Sequence, residues 1–273
     1  MNKEIFENAK KYLAEFKQKV CAFAATIARS PAVQKVLNAL KWTNLRPRLI
    51  RAKEIIVDFT KRQPKTAAFI YVCLFCAFSI GFLDKPIALS CLDSHDSGFW
   101  GFIAKINPVG WWFLILVILW LVYMAVAGLS LTTEAFEKNM IKAHSVLLIL
   151  LALSVSSLFT LVLNILLGRY TPEFLETMRV YDFSALRFRV SETSFPSFGA
   201  QSIWVVAMAF GAFQPRFKKA FRVIAGFVTV ALVLSAQCFL SDAVMGTYVG
   251  IIMYHATMWG ISENRENFPL ISL

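Results

Sequence analysis

From residue 65 onward the apolar positions run in long blocks, at roughly 67–83, 110–130, 145–167, 198–213, 223–240 and 243–260. A bilayer core about 30 Å thick takes about 17–25 helical residues to cross. Lipid offers no partner to a bare N–H or C=O, so each block predicts a membrane-crossing helix. Gln201, Gln237 and His255 interrupt the last three blocks and are expected to face the bundle interior. Ahead of residue 65 the pattern changes. Phe6, Ala9, Leu13, Phe16, Val20, Phe23 and Ile27 recur at three- and four-residue steps, with Lys10, Lys17 and Lys19 largely between them. That is an amphipathic helix with a basic flank. Ser30-Pro31 breaks it, a shorter segment runs through Val36, Leu37 and Leu40 to Trp42, and a third helix is predicted from Pro47 to about Arg62. Pro47 suits the first turn of that helix.

The pattern gives an all-α, polytopic membrane fold in three parts. A basic amphipathic helical arm covers 1–65, a six-helix transmembrane bundle 66–260 and a short tail 261–273. Composition agrees, with 58% hydrophobic and 16% charged residues and a mean hydropathy of +0.60. A soluble domain carries roughly a quarter charged residues. Charge is also uneven. Residues 1–65 hold fifteen Lys or Arg against five Asp or Glu, and the remainder is nearly balanced. A basic arm on an apolar body points to an anionic lipid surface and away from nucleic acid. The arm is equally compatible with a helical cap on its own membrane domain.

Basic residues also set the expected orientation. The loop between the fourth and fifth blocks carries Arg216, Lys218, Lys219 and Arg222 and no acid, so both termini are placed in the cytoplasm. The long loops 84–109 and 168–197 then face outward. The second holds four basic and four acidic residues and is long enough to cover a site. The five cysteines read as small hydrophobes, and neither they nor His95, His144 and His255 imply a metal or a cofactor.

Three stretches converge on the outward face. They are Asn164 to Phe174, containing Gly168-Arg169 and Pro172; Ser194 to Ala200, containing Pro196-Ser197; and Ala231 to Gly246, containing Ser241-Asp242. In order and in position at the helix ends they resemble the membrane type-2 phosphatidic acid phosphatase family, which shares its site with vanadium haloperoxidases. The resemblance covers about 67–260. The family pattern is Lys, six residues, Arg-Pro; then Pro-Ser-Gly-His; then Ser-Arg, five residues, His, three residues, Asp. It implies a phosphoryl group held by cations and amides, a nucleophilic His oriented by Asp, and a second His protonating the leaving group.

In this chain Asn164 stands at the Lys position, Thr171 at the first Arg, Gly199 at the acid His, Leu232 at the second Arg and Cys238 at the nucleophile. Pro172, Pro196, Ser197 and Asp242 match the frame. The resemblance therefore implies a pseudoenzyme that keeps the architecture and binds a lipid, such as a phospholipid or polyprenyl phosphate, or another membrane protein. No catalytic residue is expected. The alternative is an active phosphatase on a lipid phosphate or polyprenyl diphosphate with a non-standard residue set. A transporter rests only on the intramembrane amides.

Arg169, Ser197 and Arg179 are candidates for a phosphate or lipid headgroup, although four nearby acids favour surface ion pairs for the loop arginines. Asp242 and Ser197 read as helix caps ahead of chemistry, and Asn164 as an interhelical hydrogen-bonding residue. Cys238 could attack phosphorus only as a thiolate, which a neighbouring carboxylate opposes. Topology and resemblance point to a bacterial cytoplasmic membrane.

Overall fold

A computed structural model describes residues 42–92 and 109–263, with Pro31 and Phe102 as isolated positions. The arm helices expected ahead of Trp42, with Cys21, and His95 and the tail beyond Glu263 lie outside the described residues. The chain divides into two compact units, 1–68 and 69–273.

In the first unit, α1 spans Trp42–Arg62 and begins five residues before the predicted start, with Pro47 inside it. At that position proline forgoes one intrahelical hydrogen bond and its ring crowds the carbonyl four residues back, a cost that a proline in the first turn would not carry. Ile50, Ile55, Ile56 and Val57 are exposed, and Asp58 pairs with Arg62 one turn on at 2.9 Å.

A helix stands at each of the six expected places: α2 (Pro64–Phe82), then α4 (Val109–Gly128), α5 (Thr133–Leu167), α7 (Phe198–Phe213), α8 (Lys218–Leu234) and α9 (Leu240–Glu263). Three of them, α2, α4 and α5, are long and apolar enough to cross a membrane, while α7 is apolar but only 16 residues long. On α2 and α4 large side chains such as Leu74, Phe78, Phe82, Trp111, Ile118 and Leu121 are exposed. Apolar surface of that extent, on helices of spanning length, is what lipid covers, and this is a membrane protein.

Several boundaries differ from expectation, among them α8, which runs from Lys218 to Leu234 where 223–240 was expected. The α5 helix starts at Thr133, twelve residues early, because Thr132 accepts the N–H of Ala135 and caps a run of good helix formers. Its 35 residues extend about 52 Å. The expected loop 84–109 contains a helix, α3 (Asp84–Leu92), with Asp84 in its first turn, where negative charge favours the helix dipole. The second long loop holds α6 (Pro172–Thr177), a 3₁₀ turn at Val190–Glu192 and two isolated bridges, Arg169 to Phe183 and Tyr170 to Thr193.

The core of the second unit lies where α4, α5, α7 and α9 meet, around Leu116, Ile149, Leu153, Val205 and Tyr254. Two glycines bring α9 against α7. A Cβ on Gly246 would come within 2.4 Å of the Ser197 carbonyl oxygen, and one on Gly250 within 2.5 Å of that of Gln201. This close approach places the start of α9 beside the start of α7, where the Ser197 N–H donates to the Asp242 carbonyl at 3.0 Å.

Candidate functional site

The site is built at the end of α5. Gly168 ends the helix in a left-handed conformation (φ 55°), and its N–H donates to the Asn164 carbonyl. A Cβ there would stand 1.8 Å from the Ser184 carbonyl oxygen, so only glycine fits. The turn sends the next side chain, Arg169, back into the protein. The expectation of a surface ion pair is overturned for this residue, which is 2% exposed.

Its guanidinium is held on every side. Nη1 donates to Asp242 at 2.5 Å and to the Ser241 hydroxyl at 2.6 Å, while Nη2 donates to Asp84 and to the Tyr181 hydroxyl, both at 2.8 Å. The Phe239 ring lies against it, 4.1 Å from ring centre to the guanidinium carbon. Asp84 also accepts from the Ser79 hydroxyl at 2.6 Å, from the Ser241 N–H at 3.0 Å and from the Ser241 hydroxyl at 2.5 Å. Tyr181 passes its own proton to the Ile80 carbonyl at 2.8 Å. Burial works against the charge on Arg169, but Asp242 and Asp84 outweigh it and hold the guanidinium above its ordinary range. Burial pushes the Tyr181 phenol up, which keeps it neutral. This clasp ties the end of α2, the start of α3, the loop after α5 and the start of α9 into one knot.

Sequence reasoning missed Asp84 and Tyr181. Asp84 sits beside Lys85 in what read as a wet loop, and neither is close to Arg169 along the chain. Asp242 is a cap, as expected, since its second oxygen accepts the Phe239 N–H at 3.1 Å; it is also half of a buried ion-pair network. Ser197 caps α7 by accepting from Ala200 at 3.3 Å. Asn164 is fully buried and donates to the Pro196 carbonyl at 2.9 Å, tying α5 to the segment ahead of α7.

Beside the clasp lies a cavity of about 280 Å³ lined by Thr171, Ser197, Gly199, Leu232 and Cys238, with Val109, Ser191, Thr193, Ser194, Phe198 and Gln237. Five of the seven family positions therefore surround one space, and the other two, Asn164 and Asp242, are buried. Among the described residues no Lys, Arg or His lines it. Cys238 is a free thiol packed among Ala200, Leu232 and Ala243.

Not every expected residue converges. Arg179 is exposed, in a left-handed conformation (φ 55°), and does not line the cavity. Arg187 and Arg189 both pair with Glu192, as expected of loop charges; the donated bond from Arg187 holds the Glu192 carboxyl below its usual range. Gln237 and His255 are exposed, against the expectation of interior positions, although Gln237 also lines the cavity. Gln237 falls in the turn after α8, and the amphipathic imidazole of His255 tolerates a bundle surface.

No curated protein and no solved structure matches the chain. The family match is narrower than the expected 67–260 and leaves Asp84 outside it. Residues 145–266 match the PAP2 superfamily, and that stretch belongs to a type-2 phosphatidic acid phosphatase-like family.

Proposed function

We propose that this protein is a lipid-phosphatase-like membrane protein that binds a lipid at the family site without hydrolysing phosphate. One observation supports the reading: five of the family positions line a shared cavity whose wall carries no cation among the described residues, while Arg169 beside it is bound by two carboxylates. Phosphoryl transfer depends on positive groups aimed at the transferring oxygens, and removing one such donor costs about 3–4 kcal/mol of transition-state stabilisation. Here Asn164, Thr171 and Leu232 replace three cations, and Gly199 and Cys238 replace two imidazoles. Arg169 cannot substitute, because turning toward a phosphate would strand Asp84 and Asp242 in a buried site.

The six helices are read as six crossings with both termini in the cytoplasm, which puts the cavity at the outward end of the bundle. The basic loop at Arg216 to Arg222 supports that orientation. The basic residues and exposed isoleucines of α1 support an arm that lies on an anionic leaflet. The test is phosphate release by the purified protein from phosphatidic acid and from an isoprenoid diphosphate. No release above a no-protein control is expected. Turnover that disappears in Cys238→Ser or Asp242→Ala would establish the active alternative.

A further inference from the structure

A second cavity, of about 290 Å³, opens at the other end of the bundle, where the end of α4, the start of α5 and the end of α7 meet. On α5, Lys142, Ser145 and Ile149 recur at three- and four-residue steps and so share one face. Tyr123 of α4 and Phe213 and Gln214 at the end of α7 form other walls. From Lys142 to Leu167, where the family cavity begins, α5 rises about 37 Å. That exceeds the hydrocarbon core of about 30 Å but not the about 40–45 Å that includes both headgroup layers. With the family cavity at one membrane interface, the second stands at headgroup depth on the other.

Its polar groups are unspent. The Lys142 ammonium lies over the Tyr123 ring, 5.5 Å from the ring centre, and makes no ion pair or hydrogen bond among the described residues. The Tyr123 hydroxyl and the Gln214 side-chain amide likewise have no hydrogen-bond partner among the described residues. No described Asp or Glu lines the cavity. The C-terminus of α7 contributes a partial negative charge of about half an elementary charge. Arg216, Lys218 and Lys219, exposed and within five residues of Gln214, outweigh it.

An ammonium has donors only, so a neutral alcohol or amide leaves its charge unmatched, while an anionic oxygen answers the charge and the donors together. Basic pockets between membrane helices hold anionic headgroups for this reason. The volume is at the small end of ligand sites, about 300–1,000 Å³, and suits a headgroup without its chains. The chains have apolar surface to lie on. Val126, one turn along α4 from Tyr123, and Ile141, beside Lys142, are both exposed. We infer that this cavity is a second lipid site, which holds the phosphate of an anionic phospholipid on Lys142, Tyr123 and Gln214. It is separate from the family cavity, and phosphate release there is an independent measurement.

The experiment uses the full chain in an uncharged detergent, titrated with dioleoylphosphatidylglycerol and with dioleoylphosphatidylcholine, and counts bound lipids by native mass spectrometry. The basic residues ahead of residue 65 attract the same anionic lipid, so the decisive reading is the difference between variants that alter one charge. Lys142→Gln should hold the tightest phosphatidylglycerol about fivefold more weakly, near the worth of one lysine beside an anionic headgroup. Lys142→Arg should bind like the parent. Lys219→Gln removes the same charge from the same end without touching the cavity wall, and should also bind like the parent. Phosphatidylcholine should bind the parent about fivefold or more weakly than phosphatidylglycerol, because its own cation meets Lys142 and no described acid. Without added lipid, Lys142→Gln should melt with the parent, since its ammonium has only a ring contact to lose. Equal weakening in Lys142→Gln and Lys219→Gln would reveal a diffuse basic surface and overturn the site. So would equal binding of the two lipids. Displacement of the bound lipid by glycerol phosphate at comparable concentration would make the ligand a soluble anion, and would overturn it too.

Discussion

Two buried polar regions occupy the same bundle and are treated in opposite ways. In the clasp, a guanidinium and two carboxylates are almost fully saturated with partners drawn from four segments. Along α5 runs a neutral seam of Ser156, Thr160 and Asn164, spaced four residues apart, and α7 adds Gln201; all four are 0% exposed. There the Ser156 and Thr160 hydroxyl oxygens, Asn164 Oδ1 and Gln201 Nε2 have no hydrogen-bond partner. The contrast follows from the cost of burial. An unpaired buried charge is prohibitive, whereas an unpaired hydroxyl or amide atom costs about 1–3 kcal/mol and can be tolerated.

The sharpest way to break this comparison is Arg169→Met. Removing the cation leaves Asp84 and Asp242 buried together, supported by the Ser79 and Ser241 hydroxyls and the backbone N–H groups of Phe239 and Ser241. A loss of about 3–5 kcal/mol is expected, read as a large fall in melting temperature in detergent. Adding Asp84→Asn and Asp242→Asn to the same chain should recover part of it, because the stranded charges go too. If the single variant melts like the parent, the clasp does not hold the fold.

The next effect in size concerns how the clasp is aimed. Gly168→Ala places a Cβ at a positive φ and within 1.8 Å of the Ser184 carbonyl. Strain at such a position costs of order 1–3 kcal/mol, and the Ser184 segment must also shift. The expected readout is a lower melting temperature together with faster hydrogen exchange at the Ser184 N–H, which donates to the Gly168 carbonyl at 3.0 Å. A stability drop without local exchange would show that the turn and the clasp are uncoupled.

What could be read from sequence divides along the same line. Helix positions were legible because burial in lipid or in a bundle core imposes long apolar blocks that local pattern displays. The caps at Ser197 and Asp242 were legible because a cap acts within three residues. The clasp was not. Arg169 and Asp84 are 85 residues apart, and nothing in Asp84-Lys85-Pro86 distinguishes a buried acid from a wet loop. Thr171, Gly199, Leu232 and Cys238, singled out by the family frame, line one cavity, yet that frame gave no hint that the neighbouring arginine serves two aspartates.

The smallest expected effect lies in the seam, and its sign is the informative part. Thr160→Val keeps the branched shape on α5 and removes only a hydroxyl that has no partner. The Thr160 backbone carbonyl still accepts from Asn164 Nδ2 at 3.1 Å, so that bond survives the change. A Thr to Val change is usually costly where the hydroxyl is satisfied. Here it should be neutral or raise stability by up to about 1 kcal/mol, because the buried polar atom is lost together with its desolvation cost. Asn164→Leu serves as the control, since it also deletes the bond to Pro196 and should destabilise by about 1 kcal/mol. If Thr160→Val instead destabilises as much as the control, the hydroxyl has a partner such as bound water. The seam would then be as completely satisfied as the clasp, and the two regions would obey one rule.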